Sequence, residues 1–270
     1  DFNQILSFGD LIYLKINDDS LILDQIPNVE ASLISIDPNQ GDVIAYVGGK
    51  NFNESNFDRV RLSFPQSGSS FKPFIYSSSL ANGYNLSSLI NDAPIVFEDQ
   101  NLESVWRPQN YTGEFYGPIS IRDALVKSVN IVSIKLLREL GIENSHDYLK
   151  KFGFPKSRLP KDLSLALGSG NFSPAEMVRA YSVIASNGFI PDIYFIDSIK
   201  DRDGNNIFSQ SEYNSSLNYQ KISAFPWLDT IEMNAKRPYY VLNSLNNNKR
   251  VIDERISFLI ADTLKGFMKN

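Results

Sequence analysis

The chain of 270 residues contains no cysteine. That excludes disulfides, thiolate nucleophiles and cysteine-ligated zinc, while leaving the redox compartment open. Histidine occurs once, at His146, so a Ser-His-Asp triad has one possible centre. His146 lies in Glu143-Asn144-Ser145-His146-Asp147, which reads as a polar helix start rather than a catalytic setting. No run of about 18 apolar residues exists, so no stretch reads as a membrane-spanning helix. Basic charge is not in excess either: the net charge of −5 argues against nucleic acid as a partner. The chain opens on Asp1, without an initiator Met or a signal peptide, a pattern expected of an internal start.

What is present is ordinary in bulk. Hydrophobic residues make up 42% and charged residues 21%, and 270 residues suffice for one large domain or two small ones. The informative stretch is Gly68-Ser69-Ser70-Phe71-Lys72-Pro73-Phe74. Ser69 and Lys72 stand three apart and share one face on the first turn of a helix. An amine beside a hydroxyl is what a serine nucleophile needs when no histidine serves as base, provided that burial lowers the amine's pKa. Gly68 permits a tight entry, and a helix N-terminus presents N–H groups to a developing oxyanion. The pattern predicts a Lys72 amine less basic than a solvent lysine.

Taken in order, residues 11–14 and 21–23 flank Asn17-Asp18-Asp19-Ser20 and predict a hairpin closed off by Pro27. Residues 31–36 and 43–47 flank Asp37-Pro38-Asn39-Gln40-Gly41-Asp42, a second hairpin whose apolar richness predicts strands in a buried sheet. A helix from Lys72 closes at Asn82-Gly83. The loop that follows carries Trp106-Arg107-Pro108-Gln109-Asn110-Tyr111, whose aromatics either plug a core or wall a cleft. Ser120 is placed to N-cap a helix over 121–126. Ser128-Val129-Asn130 falls at the joint between two helical patterns, 121–127 and 131–140, where polar side chains can be pushed into a cleft by rigid flanks. Three other Ser-x-Asn triplets, at Ser169/Asn171, Ser216/Asn218 and Ser244/Asn246, lack that position. Ser173-Pro174-Ala175-Glu176 is a capping box that opens a helix ended by Asn187-Gly188.

Asp201, Asp203, Asn205 and Glu212 imitate positions of a calcium loop. Gly204 is misplaced for one, however, and strands flank the segment, so it reads as a hairpin turn. Residues 209–250 are rich in Asn and Ser and read as a variable excursion anchored by Phe225, Trp227, Tyr239 and Tyr240. An amphipathic helix is predicted from Asp253 to about Met268.

Gly68-Ser69-Ser70-Phe71-Lys72-Pro73-Phe74 and Ala124-Leu125-Val126-Lys127-Ser128-Val129-Asn130 resemble the first two motifs of class A penicillin-binding proteins, the peptidoglycan transpeptidases. The resemblance runs from about residue 31 to about residue 200. It implies an α+β penicillin-binding/β-lactamase-like fold: an antiparallel sheet flanked by helices, with a helical subdomain. Residues 1–28 would be the tail of a small OB-like β-domain and 29–270 the transpeptidase. It also implies an acyl-enzyme on Ser69, with Lys72 taking its proton, Ser128 relaying a proton to the leaving amine, and Asn130 holding the substrate amide and orienting Lys72. The Lys72 amine is then expected within hydrogen-bond reach of both Ser69 and the second motif.

The implied partners are stem peptides ending in D-Ala-D-Ala and β-lactam inhibitors, with no metal or organic cofactor. An upstream glycosyltransferase region and membrane anchor, at the periplasmic face of the inner membrane, belong to the same expectation. Two alternatives stay open: a carboxypeptidase or β-lactamase-like hydrolase, and a non-catalytic scaffold of the same fold. The family's third motif, Lys-Thr-Gly or Lys-Ser-Gly, occurs nowhere in the 270 residues. The expectation is a chain that stops before that strand, with an incomplete cleft and an uncovered apolar face near residues 31–36 and 43–47 or their neighbours.

Overall fold

The computed structural model describes residues 5–18, 20–25, 27, 29–96, 106–210 and 250–267. Turn chemistry sets the first two hairpins. β1 (Tyr13–Asn17) and β2 (Ser20–Asp24) pair antiparallel across a turn in which Asp18 takes a left-handed φ of 47°. β3 (Leu33–Ile36) and β4 (Val43–Val47) pair antiparallel across a turn in which the Asp37 carboxylate accepts from the N–H groups of Asn39 and Gln40.

The helices begin with a short turn, α1 (Arg59–Leu62), capped by the Asp58 side chain. A 3-10 turn over Gly68–Phe71 then runs directly into α2 (Lys72–Ala81). All residues from 72 to 80 are buried, because α2 passes through the middle of the helical layer. A helix buried all round must be apolar or small on every face. Phe74, Ile75, Tyr76 and Leu80 supply the bulk, while Ser77 and Ser79 occupy little space and satisfy their hydroxyls at Tyr148 Oη (2.9 Å) and Ile75 O (3.1 Å).

β5 (Leu89–Asp92) and β6 (Gly117–Ser120) pair antiparallel within the segment that the sequence pattern leaves as a loop. Each strand has four residues and β6 contains a proline, too little for alternation to register. β6 leads straight into α3 (Ile121–Val126), N-capped by Ser120 Oγ, which accepts from Asp123 N at 3.1 Å. α4 (Asn130–Leu140) and α5 (Ile142–Leu149) follow. α6 (Pro174–Ala185) opens with the expected capping box, Ser173 Oγ accepting from Glu176 N and the Glu176 carboxylate accepting from Ser173 N.

The last pair is β7 (Ser198–Lys200) with β8 (Asn206–Ser209). Between them the Asp201 carboxylate accepts from Asp203 N, Asn205 N and Asn205 Nδ2, which is turn chemistry. Glu212 and the aromatic anchors expected over 209–250 lie outside the described residues. α7 (Glu254–Phe267) packs on α2, α3 and α6.

The fold is therefore α+β: small antiparallel sheets flanked by a helical core in which α2 is surrounded by α3, α4, α5 and α7. Phe71, Phe74, Phe152, Phe154 and Phe172 fill the space beside the start of α2, with ring centroids 4.6–5.5 Å apart. Each buried ring contributes roughly 1.5–3 kcal/mol. One expectation needs correcting. β3 and β4 do not lie in a buried sheet: Ile36 is buried, but Leu33, Ile44 and Val47 are exposed. Among the described residues the pair is a two-stranded sheet, and the helix that packs on β3 is α6.

Candidate active site

The entry to α2 is clamped from a distance of about a hundred residues in sequence. Gly68 N donates to Gly168 O (2.9 Å), Ser67 N to Gly170 O (3.0 Å), and Ser67 Oγ to both carbonyls (3.1 Å each). Gly168 sits at φ +75°, and a Cβ there would stand 1.9 Å from the Gly68 carbonyl oxygen. Only glycine fits so close an approach. The clamp holds Gly68 at φ +56°, which turns the chain into the 3-10 segment and leaves Ser69 exposed at its surface.

Lys72, one turn on, is 1% exposed. Its Nζ donates to Ser128 O (2.5 Å), Ser128 Oγ (3.0 Å) and Asn130 Oδ1 (2.7 Å). Burial pushes its pKa down to about 8. At neutral pH about a tenth of such a group is the free amine, against less than a thousandth for an ordinary lysine. Among the described residues no hydrogen bond joins Lys72 Nζ to Ser69, so the amine meets the second motif and the serine stands free beside it.

Ser128 reaches that amine by taking a left-handed backbone, φ +53°, uncommon for a residue with a side chain. The turn is fixed by Ser128 N on Leu125 O and Val129 N on Ala124 O, so the end of α3 folds back and α4 begins at once. Ser69, Ser70, Lys72, Ser128, Tyr181 and Lys265 share a cleft of about 800 Å³, with apolar walls from Ile36, Val178, Ile184, Ala261 and Leu264. Tyr181 Oη donates to Ser70 O (2.7 Å), and burial raises its pKa to about 12.

The sequence-predicted residues Ser69, Lys72, Ser128 and Asn130 thus come from the start of α2 and the α3–α4 joint. Of the other Ser-x-Asn triplets, Ser169/Asn171 belongs to the glycine clamp, Asn171 bridging Gln66 and Ser169 Oγ bonding Ser164 Oγ. The remaining two lie outside the described residues. His146 is buried in α5, its Nε2 paired with Pro160 O, away from the cleft lining. The aromatics of the 106–111 stretch divide: Trp106 packs against the core and Tyr111 is exposed. The polar members of that stretch are what touch the site. Gln109 O accepts from Asn130 Nδ2 (2.8 Å), and Asn110 Oδ1 accepts from Asn130 N (2.9 Å). Sequence reasoning singles out only the aromatics of this stretch. It also missed Gly168 and Gly170, although a Gly-x-Gly after an apolar run was visible.

The model of the penicillin-binding protein transpeptidase domain matches residues 31–267. This chain belongs to that family. The transpeptidase-family chain is 47% identical over 202 residues to penicillin-binding protein 1A of Pseudomonas aeruginosa, covering 74% of this chain and 25% of that protein. The crystal structure of penicillin-binding protein 1A from Haemophilus influenzae superposes with a TM-score of 0.78 at 30% identity, covering 96% of this chain and 38% of that one. The PonA1 protein of Mycobacterium tuberculosis, in complex with penicillin V, superposes with a TM-score of 0.66 over 90% of this chain and 59% of that one; at 20% identity the likeness is one of fold. The chain spans about a quarter of the length of the curated penicillin-binding protein 1A relatives it matches.

Proposed function

We propose that this chain catalyses acyl transfer between peptidoglycan stem peptides ending in D-Ala-D-Ala. The observation that carries the proposal is the convergence of a buried, weakened lysine amine and Ser128 on the cleft that exposes Ser69, with Asn130 holding that amine from behind. Ser69 Oγ attacks the penultimate D-Ala carbonyl while its proton passes to the Lys72 amine. The tetrahedral intermediate collapses by breaking the C–N bond, and Ser128 hands a proton to the departing D-Ala amine while recovering one from the protonated Lys72 amine that donates to its Oγ. The amine of a second stem peptide then attacks the acyl-enzyme, forms the cross-link and restores the Ser69 hydroxyl. Asn130 holds the substrate amide and orients Lys72. A β-lactam enters by the same route, its ring amide opening to leave an ester on Ser69.

Membership of a transpeptidase family supports the transferase over the hydrolase, in which water replaces the acceptor amine. On the same resemblance we assign residues 1–28 to a separate small β unit and 29–270 to the transpeptidase. We place the reaction at the periplasmic face of the inner membrane, in a protein that also carries a glycosyltransferase region and an anchor. The test is labelling of the intact protein by a fluorescent penicillin. Lys72→Arg keeps the charge but stays protonated, and the acylation rate is expected to fall by about 10²–10⁴. An unchanged rate means that another group takes the Ser69 proton.

A further inference from the structure

Asp92, the last residue of β5, has no part in the reaction above, yet it is a fully buried carboxylate. A buried carboxylate persists only when its oxygens are occupied. Those of Asp92 accept from Asn110 Nδ2 (3.1 and 2.9 Å) and from Tyr116 N (2.8 Å), and no cation pairs with it among the described residues.

An ionised carboxylate only accepts, so it dictates which end of the Asn110 amide faces it. Asn110 Nδ2 points at Asp92 and at Glu114 O (2.8 Å), and Asn110 Oδ1 must point the other way. There it accepts from Asn130 N (2.9 Å) and Ile131 N (3.3 Å), the first two donors of α4. Helix-start donors have no partner inside their own helix, and Val129, at the N-cap, provides no side-chain cap. Asn110 caps α4 from outside.

The preceding residue completes the arrangement. Gln109 O takes Asn130 Nδ2 (2.8 Å), which leaves Asn130 Oδ1 turned to Lys72 Nζ (2.7 Å). Two neighbouring residues therefore fix both the backbone and the side-chain amide of Asn130.

We propose that Asp92 and Asn110 are positioning residues for the transfer reaction: the buried carboxylate orients the Asn110 amide, which sets Asn130 and, through it, the Lys72 amine. The inference rests on the acyl-transfer reading. A plain helix cap needs only the two N–H groups, whereas this loop also dictates the amide orientation of a residue that holds the general base. Among the described residues the ionisable groups around the device include Lys135 of α4, whose Nζ donates to Asn91 O (2.6 Å), and Glu114, whose carbonyl accepts from Asn110. They also include Tyr76, whose pKa is raised chiefly by burial, and Tyr116, whose ring lies 4.4 Å from Lys127 Nζ. Tyr181 and Lys265 line the cleft on the Lys72 side.

The test is labelling of the intact protein by a fluorescent penicillin, read as amplitude, rate and dependence of rate on pH. Asn110→Ala is expected to keep the amplitude and lower the rate by about 10²-fold, the cost of misplacing a catalytic group by about 1 Å. The rising limb of the rate is expected to move to higher pH, because a loosened Lys72 is better solvated. Asp92→Asn keeps the shape but puts a donor against the Asn110 amide. It is expected to give a smaller loss and a shift in the same direction, and it decides alone should Asn110→Ala not fold. An unchanged rate and limb overturn the proposal. So does a loss confined to amplitude, which marks a structural role only. Labelling that survives Ser69→Ala instead overturns the acyl-transfer reading, and with it the claim that Asp92 and Asn110 position groups for that reaction.

Discussion

The turn that carries Ser69 and the turn that carries Ser128 face one cleft, but the first is closed by a glycine contact that no Cβ fits, whereas the second adds side-chain partners to two backbone hydrogen bonds. Around Ser69, the carbonyls of Gly168 and Gly170 grip Ser67 and Gly68, and Gly168 approaches Gly68 more closely than any Cβ allows. Around Ser128, a left-handed residue is steadied by the Lys72 amine on its carbonyl, while Asn110 holds the next helix start. A backbone clamp fails all at once when a methyl intrudes, whereas a side-chain network yields by degrees as partners are removed. The Ser69 turn is thus the more brittle of the two.

Gly168→Ala is expected to break the comparison most severely. The methyl meets the Gly68 carbonyl, and the left-handed backbone is strained as well, so stability should fall by about 3 kcal/mol or more. Denaturant unfolding of the variant, together with loss of penicillin labelling, checks this; a tolerated methyl would show that the clamp is slack.

Next comes the lysine. Burial lowers its pKa from 10.5 to about 8, so between those pH values the unfolded chain holds a proton that the folded chain has released. Unfolding free energy should therefore rise with pH across that window, by about 3 kcal/mol in total, and the penalty stays complete below the folded value. Lys72→Met, measured by urea unfolding at several pH values, should lack that slope. An identical slope in both proteins would mean that the amine is solvated.

The α6 capping box lies outside both turns and calibrates the scale. Ser173→Ala should cost about 1 kcal/mol and leave the rate of labelling unchanged, as unfolding and kinetics on one sample would show.

The same contrast explains what was legible. β1–β2, β3–β4, the Ser120 cap and the Ser173 capping box are each specified within a few neighbouring residues, and each stands where the pattern puts it. The Ser69–Lys72 spacing differs: Ser69 lies in a 3-10 turn before α2 and, among the described residues, has no hydrogen bond to the Lys72 amine. The clamp on Gly68 comes from residues 100 positions downstream. The Asp92–Asn110–Asn130 chain joins a strand end, a loop and a helix start that share no periodicity. The exposure of β3 and β4 is not written in their own residues, because an apolar run states what prefers cover but not what lies over it; an uncovered face near them is expected only from the absence of the third motif.

The central claim is that Ser69 is the nucleophile. It is tested most directly by mass spectrometry of the intact protein after brief exposure to penicillin, followed by chymotrypsin. Cleavage after Phe57 and Phe71 releases residues 58–71, which hold four serines: Ser63, Ser67, Ser69 and Ser70. The account predicts one penicilloyl adduct on this peptide, located by fragmentation at Ser69 and absent from Ser69→Ala. An adduct at Ser70 or Ser128, or one that persists in Ser69→Ala, would contradict it.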